Sequence, residues 1–177
     1  MRRTGPAACG SDATMRLRPA EAGDADPLLD IWFEGWWDGH GDVAPEALRR
    51  CRGRDGLRAR LPEAMAAMSV AERNGAVAGF VSIKGTELSN LYVRRDLRGT
   101  GLAAALLACG EAMLAHGGVA EAFLWCAVGN ERAYRFYLRE GWTDVGVVQC
   151  DVTTPEGPAR LPSHRFVKRL DGDTASV

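Results

Sequence analysis

Apolar and charged residues alternate from Met15 to Arg18, just ahead of Pro19, and a period of two predicts a short first strand. The period then lengthens. Leu28, Ile31, Trp32, Gly35 and Trp36 recur at helical spacing behind Asp24, Asp26 and Pro27, so a helix starts there. Its tail runs into Trp37-Asp38-Gly39-His40-Gly41-Asp42, where the two glycines are expected to stop it. Ala44 to Met68 reads as a second helical region, broken around Gly53 to Gly56.

From Ser69 the pattern shortens again. Ser69 to Glu72 and Ala76 to Ile83 are strands joined through Arg73-Asn74-Gly75, and Asn-Gly is a strong hairpin signal. Lys84-Gly85-Thr86 turns the chain into a third strand, Glu87 to Val93, completing an antiparallel meander. Gly101 to Ala115 returns to helical spacing, with Leu102, Leu106, Cys109, Met113 and Leu114 on one face and His116-Gly117-Gly118 at its end. Phe123 to Val128 suits a buried strand. Asn130 is a good N-cap for a helix carrying Ala133, Phe136, Tyr137 and Glu140 on one face, and Gly141 ends it. Trp142 to Val152 and Arg165 to Leu170 supply the last strands, separated by a loop holding Pro155, Pro158 and Pro162.

No repeat or linker interrupts this order, so residues 15–170 read as one α+β domain. Residues 1–14, rich in Gly, Ala, Ser and Thr, read as a disordered extension ahead of a second methionine, Met15, and the polar residues 171–177 as a frayed tail. A chain of 177 residues can bury a substantial single core.

Charge and composition then remove some classes of function. The 22 basic and 23 acidic side chains nearly cancel, which argues against a general nucleic-acid binder. A local basic patch remains at Arg94, Arg95 and Arg98. Five scattered cysteines without a CxxC, and His40, His116 and His164 without ligand spacing, argue against a disulfide framework or a metal site. No apolar run approaches the roughly 20 residues of a membrane span, and Met1-Arg2-Arg3 leads into no signal-peptide core. A cytoplasmic setting is the expectation.

One segment carries candidate chemistry. A strand ends at Val93, a loop supplies Arg98-Gly99-Thr100-Gly101, and a helix begins. Unpaired N–H groups and the helix dipole make such a start an anion site, and glycines let a ligand approach the backbone. The glycine pair alone fits a mere tight turn equally well. A dinucleotide-binding reading is poor, because it needs GxGxxG, an initial βαβ unit and an acid about 20 residues on, whereas here the preceding strand sits in an antiparallel meander.

The wider pattern is more specific. Leu91-Tyr92-Val93, four further residues, then Arg98-Gly99-Thr100-Gly101-Leu102-Ala103 resembles the acetyl-CoA-binding motif of the GNAT superfamily of N-acetyltransferases, with Arg98, Gly101 and Ala103 in its defining positions. Asn130, Ala133, Phe136, Tyr137, Gly141 and Trp142 resemble the second motif of that superfamily. The resemblance implies a mixed, mostly antiparallel sheet of six to seven strands flanked by helices, with acetyl-CoA as cosubstrate and no metal. It implies that the pantetheine arm pairs with the backbone of Leu91, Tyr92 and Val93, one of whose N–H groups polarises the thioester carbonyl. The pyrophosphate would rest on the amides of residues 98 to 103, with the Thr100 hydroxyl as a further donor. Asn130 would hydrogen-bond the pantetheine, and Tyr137 would protonate the departing thiolate. Glu87 is the candidate general base, directly or through water.

On the acceptor side the resemblance points to the end of the first helix, here Trp36, Trp37, Asp38 and His40, where aromatic walls and a carboxylate would suit a small-molecule or peptide amine. Trp32 and Trp36 as core anchors, and the aspartates as turn residues, stand as the plain alternative. Two departures matter. Arg95 replaces a frequent proline of the motif, and Trp125 stands where enzymes that modify protein N-termini often carry Glu. Direct transfer in a ternary complex is expected, since no cysteine has an evident base partner. A non-catalytic acyl-CoA-binding or sensing module is the alternative function, and edge strands near the C-terminus could pair two copies as a homodimer.

Overall fold

Asn74 and Gly75 turn the chain with φ of 55° and 77°, and two successive left-handed residues are what a two-residue hairpin with the twist of its strands demands. In the computed structural model, which describes residues 15–170, this turn joins β2 (Met68–Arg73) to β3 (Ala76–Lys84). Gly85-Thr86 then leads into β4 (Glu87–Val93), and β1 (Met15–Pro19) pairs with β2 to complete an antiparallel four-stranded half. The expectations for 1–14 and 171–177 lie outside the described residues.

Three further strands form the other half. β5 (Glu121–Ala127) pairs antiparallel with β7 (Gly157–Arg169), which pairs in turn with β6 (Thr143–Thr154). The seven-stranded order is β1-β2-β3-β4-β5-β7-β6, mixed and mostly antiparallel as expected. Among the described residues β4 and β5 are the one parallel pair, and they are matched at a single position, Glu87 opposite Phe123. Beyond it the two halves of the sheet diverge.

Each face of the sheet has its own core. α1 (Ala25–His40), α2 (Glu46–Cys51) and α3 (Arg54–Met65) cover one face, burying Leu28, Trp32, Leu57 and Phe80. α4 (Leu102–His116) and α5 (Glu131–Arg139) cover the other with Leu106, Leu107, Leu124, Trp142 and Phe166. α1 lies close on β4. A Cβ built on Gly35 would come within 2.3 Å of Tyr92 Cδ1, so the helix can settle there only because position 35 has no side chain.

α1 ends inside the expected segment, at His40 with Gly41 as its C-cap, but Gly39 lies within the helix. A Cβ on Gly39 would lie 2.7 Å from Asn130 Nδ2, so this glycine makes room for a neighbour instead of ending the helix. The proline-rich stretch is not the expected loop, because β7 already starts at Gly157 and contains Pro158 and Pro162. The Pro162 carbonyl accepts from Val128 N, away from β6, so its missing N–H falls on the side where the β6 ladder needs no donor. Pro158, four residues away, faces the same way. β6 is left as a sheet edge with Val145, Val147 and Val148 exposed.

Candidate active site

The divergence of β4 from β5 leaves part of β4 without a strand partner. Past Glu87 its β5-facing N–H and C=O groups have no ladder to join, and such groups require partners. A bulge at Ser89, where Ser82 opposes Asn90 and Ile83 opposes Leu88, bends the strand further. Between the two strands lies a cleft of about 510 Å³, walled by Leu88–Val93 on one side and Trp125, Cys126 and Ala127 on the other.

The mouth of the cleft is cationic. Arg98, Gly99 and Gly101 line it at the start of α4, and Gly101, the residue before that helix, has φ of 84°. A Cβ there would meet nothing within 4 Å, so the backbone opens directly onto the cleft. The Leu102 side chain is buried in the core, leaving its amide as its contribution. Ala103 lines the cleft. The Thr100 hydroxyl instead donates to the Leu97 carbonyl at 2.7 Å, and Thr100 does not line the cleft. The expected hydroxyl donor therefore serves the turn itself.

α5 closes the opposite side. Asn130 caps it, its Oδ1 accepting from Ala133 N at 3.2 Å, which leaves the side-chain NH2 for the cleft. Tyr137 lies about two turns further on, packed against Phe136, Trp142 and Phe166. Burial pushes its phenol well above the ordinary tyrosine range, with Cys126 and Tyr92 adding to the shift. Asp144 braces this region by accepting from the Tyr134 hydroxyl at 3.2 Å, and it lies 2.8 Å from His164 Nδ1.

α1 does not place the four acceptor candidates together. As helix rather than loop, it spreads them around its axis, and only His40 lines the cleft. Trp36 is a core residue, 5% exposed, stacked on the His40 ring at 5.2 Å. Trp37 is partly exposed and donates from Nε1 to the Arg52 carbonyl. Asp38 binds Arg98 at 2.7 Å and also Arg95. Burial would raise its carboxyl, but the two guanidiniums outweigh this and hold it below the usual range. Its charge is thus engaged at the cationic mouth. Burial lowers the pKa of His40, which keeps the ring neutral at pH 7, with Nδ1 on the Trp36 carbonyl at 3.1 Å.

Glu87 stands where the β4–β5 ladder closes, half-buried and just beyond the residues that line the cleft. Burial raises its carboxyl above the ordinary range, opposed by Lys84. Arg132 was not legible in the sequence. It lines the cleft near Arg98, whose charge, after burial, lowers its pKa without neutralising it. A charged residue in a first helical turn gives no signal that separates a ligand contact from a solvated face.

Comparison with known proteins agrees with this geometry. Residues 29–142 match the model of the acetyltransferase (GNAT) family. No curated protein sequence matches the chain significantly. Among solved structures, yncA, a putative acetyltransferase from Salmonella typhimurium with acetyl-CoA, is similar at 19% identity and a TM-score of 0.69, covering 93% of this chain and 99% of its own. PaiA N-acetyltransferase from Thermoplasma acidophilum, in complex with coenzyme A, gives 17% identity and a TM-score of 0.65 over 88% and 99%. An N-acetyltransferase from Staphylococcus aureus Mu50 gives 17% and 0.70 over 90% and 100%. No helix among the described residues is long and apolar enough to cross a membrane. With the family model spanning both the unpaired stretch of β4 and the α5 wall of the cleft, the chain belongs to the acetyltransferase (GNAT) family and is an acyltransferase of the N-acetyltransferase type.

Proposed function

We propose that the protein transfers an acetyl group from acetyl-CoA to a primary amine by direct attack within a ternary complex. The observation that carries this is the unpaired edge of β4 running from the cationic mouth at Gly101 to Tyr137. The residues fit the donor. The backbone groups of Leu91 and Val93, which alternate with those of Tyr92 paired to Phe80 on β3, offer a ladder to the two amides of a pantetheine arm. The α4 amides, Arg98 and Arg132 offer charge to phosphates. Asp38 holds Arg98 in place until phosphate replaces it as partner. Acetyl-CoA supplies an acyl group already activated as a thioester.

This chain's residues then manage protons and charge. Glu87, made more basic by burial, takes a proton from the incoming amine directly or through water. A backbone N–H of residues 91–93 stabilises the carbonyl oxygen as nitrogen bonds to the carbonyl carbon. As the carbon–sulfur bond breaks, the Tyr137 phenol gives its proton to the sulfur. Cys126 also lines the cleft, but burial pushes its thiol up to about 12, with Asp144 adding to the rise. At neutral pH it is no thiolate, which supports direct transfer over an acyl-cysteine route.

Thiol release from acetyl-CoA across a panel of amines tests the reading. Amine-dependent release is expected, and acetyl-CoA binding without release for any amine class would count against it. The base is tested by pH. Glu87 acts deprotonated, so kcat/KM falls as pH drops through its raised pKa, above the usual carboxylate range. In Glu87→Gln that acid limb is expected to vanish, together with a rate loss of roughly 10²-fold. A limb retained in the variant removes Glu87 from the role.

A further inference from the structure

Behind the wall that His40 and Tyr92 give the cleft sits a cation that the transfer chemistry does not use. Arg52 follows α2, and the Trp37 indole donates to its carbonyl at 3.3 Å, tying this turn to α1. Its side chain is partly buried. Nη1 is buried and has no hydrogen-bond acceptor among the described residues, the one buried side-chain polar atom there of which this is true. The Tyr92 phenol and His40 lie within its electrostatic reach, and both line the cleft.

The charges around Arg52 do not compensate it. The groups acting on it are a second cation, Arg60, and the neutral Cys51 and Tyr92, with no carboxylate among them. Asp38, on the adjoining α1, is already held by Arg95 and Arg98. Arginine cannot shed its proton at accessible pH, so the orphan N–H is not relieved by neutralisation. Buried donors are almost always paired, and a charged one left unpaired is costly. A planar guanidinium fork is matched best by a carboxylate. The same cation repels polycationic acceptors, for which the cleft keeps no free carboxylate on α1.

We propose that Arg52 is the anion-recognition element of the acceptor pocket, so that the acceptor is a small amine bearing a carboxylate, of the amino acid class. The word acceptor rests on the acetyl-transfer reading above; the anion site does not.

Matched pairs of probes test it: α- and ω-amino acids, each against the carboxamide of the same skeleton. In the thiol-release assay the best carboxylate is expected to exceed its amide by about tenfold or more in kcat/KM, the scale of one charge-assisted hydrogen bond. Arg52→Gln is expected to bring the carboxylate down to the level of its amide, and Arg52→Lys, which keeps the charge but loses the fork, to fall between. Amides used as well as carboxylates, or a preference that survives Arg52→Gln, overturns the proposal.

A second readout separates this from the acetyl-transfer reading. Carboxylate probes are expected to raise the melting temperature of the wild type, with or without CoA, and not that of Arg52→Gln. No shift with any carboxylate overturns the anion site, whereas failure of acetyl-CoA to shift the melting temperature removes the donor reading instead.

Discussion

Tyr137→Phe is expected to lower kcat by about tenfold or more, toward the roughly 10²-fold of a typical general acid, while the KM for acetyl-CoA changes little. The substitution removes one hydroxyl and keeps the ring, which packs against Phe136, Trp142 and Phe166 and so holds α5 in place. Stability and cofactor affinity should therefore survive, and the loss should fall on the chemical step. Burial adds a second signature. Because it raises the phenol pKa above the ordinary range, Tyr137 is protonated throughout the pH range in which the enzyme can be assayed. The wild-type to Tyr137→Phe ratio of kcat should then be the same from pH 6 to 9, with no alkaline limb assignable to the phenol. Steady-state kinetics at several pH values decides the matter. An unchanged kcat, or a ratio that collapses at high pH, removes Tyr137 as the donor.

Much of the fold was legible because local rules and the tertiary structure agree. The Asn74-Gly75 turn and the alternating strands on either side fix the register of β2 and β3, and β4 was delimited to the residue as Glu87–Val93. Asn130 caps α5 as its position suggested. The failures have a common cause in contacts that sequence spacing does not encode. Gly39 reads as a helix stop, yet its lack of a Cβ makes room for Asn130, a residue far along the chain. Pro158 and Pro162 read as loop, yet both turn their missing donors away from β6. The same limit governs the site. The roles proposed for the backbone at Leu91–Val93 and at Gly99–Leu102 rest on motif and turn chemistry, which the sequence carries. Asp38 and Arg52 depend on which oppositely or like-charged side chains the fold brings near, and Thr100 on a local carbonyl that claims its hydroxyl first.

Replacing Gly101 with alanine should weaken acetyl-CoA binding by roughly ten- to a hundredfold, equivalent to about 1.4 to 2.8 kcal/mol. Gly101 has φ of 84°, where an L side chain is strained by roughly 1–2 kcal/mol. It also precedes α4, whose free amides face the cleft. The chain can accept the strain, which costs stability, or relax out of the left-handed region, which turns those amides away from the phosphates. A methyl group in the open space beside Gly101 adds a steric obstacle in the first case. Either response harms binding. Gly75 provides the control, since it has nearly the same φ, 77°, and equally open surroundings, but sits in the β2–β3 turn and lines no part of the cleft. Gly75→Ala and Gly101→Ala should lower the unfolding free energy by similar amounts, and calorimetric titration with CoA should separate them, with only Gly101→Ala losing affinity. If the two variants bind CoA equally well, the amides before α4 are not the phosphate site, and the anion affinity must come from Arg98 and Arg132 alone.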